Sequence, residues 1–97
     1  MFGNNMMKKL QEMQQEVEAA KERLNHIKLI GESGEGVVRV EVNGNGVITN
    51  IEVRAEIPQK ELIDLIKLAS NRALEQSYKT REAELASSAK GMLPGMM

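Results

Sequence analysis

The run Gly36-Val37-Val38-Arg39-Val40-Glu41-Val42-Asn43-Gly44-Asn45-Gly46-Val47-Ile48-Thr49-Asn50-Ile51-Glu52-Val53 carries two stretches of period-two alternation around one turn signal. Val38, Val40 and Val42 fall on one face, and Val37, Arg39, Glu41 and Asn43 on the other, the pattern of a strand buried on one side. Val47, Thr49, Ile51 and Val53 repeat the alternation. Between them, the two overlapping Asn-Gly pairs of Asn43–Gly46 permit the positive φ angles of a tight hairpin. Upstream, residues 27–33 are short, apolar and β-branched, and Gly31, Gly34 and Gly36 suggest a second turn. A three-stranded antiparallel meander follows.

Outward from the meander, the period changes to that of a helix on both sides. Met6, Leu10, Met13, Val17, Ala20, Leu24 and Ile27 are spaced 4, 3, 4, 3, 4 and 3, an a/d seam held for three heptads. No Gly or Pro interrupts between Asn4 and Ile30, so a helix is expected over residues 5–26. The seam fits lengthwise pairing with another helix; an ordinary core stripe would leave the same trace. After the strands, Pro58 suits a first helical position. A long helix should run over residues 59–87, with Leu62, Leu65, Ile66, Ala69, Ala73 and Leu74 as its apolar face. Beyond Tyr78 no large apolar residue occurs until Leu85, so this part should project into solvent or meet a partner chain. Residues 1–4 and 88–97 are expected to be flexible ends. The whole chain, 1–97, reads as a single α+β domain with no internal repeat.

Size and composition then limit what the domain can do. Ninety-seven residues with one Phe, one Tyr and no Trp make a small core without large aromatic anchors. Cores of this kind draw on disulfides, a metal or a partner chain. With no Cys, disulfides and thiolate zinc sites are excluded, which leaves the partner chain. A homodimer is therefore expected, with Leu10, Met13, Val17 and Leu24 of the seam as its interface. No segment approaches the roughly 20 apolar residues of a membrane span, and no apolar signal core follows Lys8-Lys9. These readings point to a cytoplasmic protein without a membrane partner.

Catalytic and cofactor chemistry finds few candidates. One His and one Asp, His26 and Asp64, do not make a positioned acid–base pair or a ligand cluster. Glu12, Glu16, Glu18 and Glu22 decorate a helix surface. Gly31-x-x-Gly34-x-Gly36 feeds an alternating strand, whereas a phosphate-cradling loop feeds a helix N-terminus. The expectation is no enzyme, no cofactor, no metal and no small-molecule substrate. The remaining chemistry is basic: Lys8, Lys9, Lys21, Arg23 and Lys28 around the first helix, and Lys67, Arg72, Lys79 and Arg81 on the second. With 13 basic against 14 acidic residues the net charge is −1, and on charge alone these clusters read as solubility charge.

The order of motifs adds a resemblance. The opening Met-Phe-Gly-Asn, the Met/Gln/Glu-rich first helix, the glycine turn into residues 36–46, the helix through residues 62–74 and the closing Gly91-Met92-Leu93-Pro94-Gly95 together resemble the YbaB/EbfC family. The resemblance covers nearly the whole chain. It implies a bacterial nucleoid-associated protein without enzymatic activity, forming a tweezer-like homodimer that binds double-stranded DNA. It also implies DNA contacts on the helices, for which the matching basic positions are Lys8, Lys9, Lys21, Lys28, Lys79 and Arg81. Ala55-Glu56-Ile57-Pro58 departs from the Asp-Pro turn of many members, so that loop's geometry is not carried over from the family. Two functions follow: a nucleoid DNA-binding dimer of little or modest sequence preference, or a protein-interaction module accessory to DNA replication, recombination or repair.

Overall fold

The computed structural model describes the backbone of residues 2–92, and side chains within residues 5–87. Its order is α1 (Phe2–Asn25), β1 (Lys28–Glu32), a single 3-10 turn (Gly34–Gly36), β2 (Val38–Asn43), β3 (Ile48–Val53) and α2 (Gln59–Met92). The strands form one antiparallel sheet in the order β1-β2-β3, the meander expected from the two turn signals. Of the ends expected to be flexible, residues 2–4 and 88–92 are helical; residues 1 and 93–97 lie outside the described residues.

The core lies between α2 and one face of the sheet. Val38, Val40 and Val42 are fully buried against Ala69 and Ala73, with Leu29, Leu62, Leu65, Ile66 and Leu74 packed around them. Small residues let the helix come close. A Cβ placed on Gly31 would meet Ala69 O and Ala73 N inside 3.0 Å and Ala73 Cβ at 2.9 Å, so β1 has Gly where the helix backbone passes over it. Polar side chains of α2 then bind the outer edge of β1. The Arg72 guanidinium donates to Glu32 O at 2.8 Å, and Gln76 Nε2 donates to Ile30 O at 2.8 Å. This edge of the sheet is covered, which removes one template for unwanted strand pairing.

The β3 side differs from the sequence reading in register. A bulge between Glu41 and Val42 sets Val42 opposite Ile48 and Glu41 opposite Asn50, so Thr49 is the extra residue. The core-side set of β3 is therefore Ile48, Ile51 and Val53, and Thr49 instead donates its hydroxyl to Glu41 Oε2 at 2.6 Å. An alternation count cannot reveal such a slip, because one extra residue flips every side chain beyond it. α2 sits over β1 and β2 and leaves β3 uncovered: Ile48, Ile51 and Val53 are each 44% exposed.

Two turns hold the ends of these elements. In the first, Ser33 Oγ accepts from Val38 N at 3.0 Å, and Glu35 and Gly36 take φ values of 66° and 70°. In the second, Asn43 Oδ1 accepts from Asn45 N at 2.9 Å and Val47 N at 3.2 Å, while Gly46 takes φ 80°. That is a three-residue hairpin loop closed by a left-handed glycine. One of the two Asn-Gly signals supplies the positive φ. The other glycine, Gly44, serves close approach: a Cβ there would lie 2.8 Å from Leu24 Cδ2 and 2.9 Å from Leu24 O.

Candidate nucleic-acid interface

Beyond Ser77 the second helix leaves the sheet and meets α1. Ser77 is buried and donates to Asn43 O at 2.9 Å, which marks the last anchor of α2 on the sheet. From there outward, α1 runs alongside it with Ala20 and Leu24 fully buried, and Arg23 Nε donates to Glu84 Oε1 at 2.6 Å. The Glu84 hydrogen bond, chief among the causes, raises the Arg23 pKa above its ordinary value. The segment after Tyr78, expected to meet solvent or a partner chain, thus packs on the first helix of its own chain. Both helices leave the sheet at the hairpin end and make an arm, and the molecule extends over 67 × 23 × 18 Å.

The hairpin tip fastens α1 to the sheet. The last carbonyls of a helix have no intrahelical donor. Here Gly44 N donates to Leu24 O at 2.8 Å, and Asn45 Nδ2 donates to Lys21 O at 2.9 Å and to Asn25 Oδ1 at 2.6 Å. The a/d seam accordingly splits in two. Ala20 and Leu24 belong to the protomer's own interior, whereas Met6, Leu10, Met13 and Val17 are exposed by 66, 61, 36 and 40%. Of the four residues expected at a dimer interface, Leu24 faces its own chain, and Leu10, Met13 and Val17 remain on the surface.

The six basic positions fall into two groups rather than one patch. Lys8 and Lys9 stand on the outer half of α1, about 20 Å of helical rise from Lys21 at 1.5 Å per residue, and Lys28 lies beyond the helix on β1. Lys21, Lys28, Lys79 and Arg81 cluster nearer the junction of helices and sheet, where Lys79 is paired with Glu75 at 3.5 Å. Among the described residues, no ion pair involves Lys8, Lys9, Lys21, Lys28 or Arg81.

Charge is segregated along the arm. Residues 2–11 contain Lys8 and Lys9 and no acid, and residues 85–92, the end of α2, contain Lys90 and no acid. Residues 26–58, the sheet and its turns, contain three basic residues (Lys28, Arg39, Arg54) against five glutamates (32, 35, 41, 52 and 56). On the sheet's outer face these pair with one another. Arg39 Nε lies 2.8 Å from Glu32 Oε1, off the line of a hydrogen bond, and Arg54 lies 3.4 Å from Glu52. Counting charge over the whole chain conceals this polarity.

No group of three or more His, Asp or Glu among the described residues is placed to hold a metal ion, and no helix among them is long and apolar enough to cross a membrane. The open polar depression lined by Ile30, Arg39, Glu41, Asn50 and Glu52 is filled with mutually neutralised charge and has no nucleophile or base set apart for chemistry.

Comparison with known proteins agrees with this architecture. The family model described as the YbaB/EbfC DNA-binding family matches residues 2–92. A protein named nucleoid-associated protein, from Caldanaerobacter subterraneus subsp. tengcongensis, is 33% identical over 98 aligned residues, covering 96% of this chain and 88% of the relative. A crystal structure of an uncharacterized protein of Helicobacter pylori superposes with a TM-score of 0.57 at 24% identity, covering 86% of this chain and 87% of the other. That likeness speaks to the fold.

Proposed function

Because the chain belongs to the YbaB/EbfC DNA-binding family, we propose that it binds duplex DNA in the bacterial nucleoid as a homodimer, with little or modest sequence preference, through its helical arms. The observation that carries the reading is the charge polarity of the arm. Its outer end, residues 2–11, carries Lys8 and Lys9 and no acid, and the glutamates of α1 begin only at Glu12. A local cationic end suffices for phosphate contact, which is sequence-independent and positions a protein without reading bases. A net charge of −1 therefore does not oppose the reading. Lys21, Lys28, Lys79 and Arg81 supply further contacts nearer the body of the protein.

Dimer formation is supported by the apolar surface each protomer leaves open: Leu10, Met13 and Val17 on α1, and Ile48, Ile51 and Val53 on β3. Contiguous apolar patches of this kind mark association surfaces. Two protomers bring two cationic arms to one duplex. The same exposed α1 seam favours the second reading, a protein-interaction module accessory to DNA replication, recombination or repair.

Fluorescence anisotropy of a labelled duplex, titrated at several salt concentrations, separates the two. The DNA reading requires a log–log salt slope that falls by about 0.9 for each phosphate contact. In the Lys8→Ala/Lys9→Ala protein that slope should become shallower by about 1 for each contact removed, with equal loss across unrelated sequences. Absence of binding at low salt, or binding indifferent to salt, would leave the interaction module as the better account.

A further inference from the structure

The hairpin tip that clamps α1 consists of two Asn-Gly pairs, and its hydrogen bonds treat them unequally. In an Asn-Gly sequence the glycine nitrogen attacks the asparagine side-chain carbonyl, because no side chain shields it. The new C–N bond closes a succinimide, the C–Nδ2 bond breaks, and ammonia leaves with the proton shed by the glycine nitrogen. Water then opens the ring to aspartate or isoaspartate. No electron is gained or lost.

At Asn43-Gly44 each participant is engaged. Gly44 is buried and its N–H is held by Leu24 O at 2.8 Å, while Asn43 Oδ1 accepts from both Asn45 N and Val47 N. At Asn45-Gly46 the attacking nitrogen belongs to an exposed glycine whose one bond, to Asn43 O, is 3.1 Å long. The nearest atom to a Cβ built on Gly46 is Ser77 Oγ at 3.8 Å, so the loop has room to change shape. We propose that Asn45 is a deamidation site, and that its conversion releases the C-terminal end of α1 from the hairpin and so frees the direction of the arm.

The release follows from what Asn45 touches. Its amide nitrogen, which leaves as ammonia, is the donor to Lys21 O and Asn25 Oδ1. The replacement carboxylate has no proton to offer and faces a backbone carbonyl that can only accept. It also sets a negative charge at the negative end of a helix dipole. Gly44 N on Leu24 O and the Arg23–Glu84 pair are among the polar ties that then still join the end of α1 to the rest of the fold. Isoaspartate adds to this by rerouting the backbone through the loop itself.

The test is independent of any DNA contact. The full chain is aged at mildly alkaline pH in water enriched in oxygen-18, and the peptides are mapped by mass. Label should enter at residue 45 and spare residue 43. Amide hydrogen exchange in the last two turns of α1 should then accelerate by about tenfold in the aged protein, with β2 and the sheet-packed part of α2 unchanged. Asn45→Asp should reproduce that local acceleration and Asn45→Ala a smaller one; were Asn45→Asp to misfold, the aged protein, made from the folded chain, still gives the reading. Label at residue 43 first, label at neither, or modification at 45 with α1 exchange unchanged would each overturn the proposal.

Discussion

Replacing Gly31 by alanine adds one methyl group at the point where α2 lies closest to the sheet. The new Cβ falls inside 3.0 Å of Ala69 O and Ala73 N, both of them backbone atoms of a continuous helix, and 2.9 Å from Ala73 Cβ. No flexible side chain is there to swing away, so the helix has to lift. A retreat of about 1 Å forfeits a quarter to a half of the dispersion between facing atoms, along the interface where Val38, Val40, Val42, Ala69 and Ala73 are buried together. Overpacked cores lose about 1–3 kcal/mol, and with backbone on both sides the upper end, about 3 kcal/mol, is expected. A domain of this size has about 5–15 kcal/mol in all, and each kcal/mol moves Tm by about 4–8 °C. Urea unfolding followed by circular dichroism should therefore show a much lower midpoint, with Tm down by about 12–24 °C. Ala73→Gly should not rescue it, since the backbone contacts remain. Gly34→Ala, where no atom lies within 4 Å of the built Cβ, is the control and should change stability by less than about 0.5 kcal/mol. A Gly31→Ala protein that lost less than about 1 kcal/mol would show that the helix yields freely and would refute the close-approach argument.

Ser77→Ala removes one of the two donors to Asn43 O, the other being Gly46 N, and should cost about 0.5–1.5 kcal/mol in urea unfolding; an unchanged midpoint would mean that the remaining donor or water suffices. Tyr78 should ionise above the ordinary phenol value of 10.0, because its hydroxyl bonds to Glu82 and a phenolate would face that carboxylate. Since the folded pKa is raised, the support this pair gives α2 is complete below the ordinary phenol value and is lost as pH climbs through the raised one. A near-ultraviolet titration checks it, uncomplicated by any tryptophan, and the midpoint should drop in Glu82→Gln. Met13→Glu combined with Val17→Glu should leave the protomer folded, both side chains being exposed, and shift its sedimentation from dimer to monomer. A double variant that kept the dimer mass would place the interface elsewhere.

Sequence periodicity reached the elements and their order because each obeys a strong local rule: alternation for β2, a glycine-closed loop for the hairpin, an uninterrupted run of helix formers for α1. It stopped where two elements interact. The heptad seam reads as one surface, yet Leu24 serves the protomer's interior while Leu10 stays outside, because only the C-terminal part of α1 is buried by its own chain. Gly31, Ala69 and Ala73 could be read as turn-former and small apolar residues, but their shared purpose, a helix lying close on a strand, exists only once the chain is folded. The bulge at Thr49 needs a partner strand to be defined at all. For the candidate site, Lys8 and Lys9 and the acid-free run of residues 2–11 around them were visible from the start; the whole-chain charge averaged them away against 14 acids, Glu12, Glu16, Glu18 and Glu22 of the same helix among them.

The unequal borders of the sheet set a rule for growth. Along β1 the outward carbonyls of Ile30 and Glu32 are already occupied by Gln76 and Arg72, while among the described side chains none is seen to bind the outer edge of β3. A sheet with two open borders can recruit neighbours without end and become a fibre. This one is open along β3, and two copies meeting there by a two-fold axis would occupy each other's open border. Self-association through strands, where it occurred, would halt at a pair, and the terminator is built from two side chains of a helix rather than from the strands themselves.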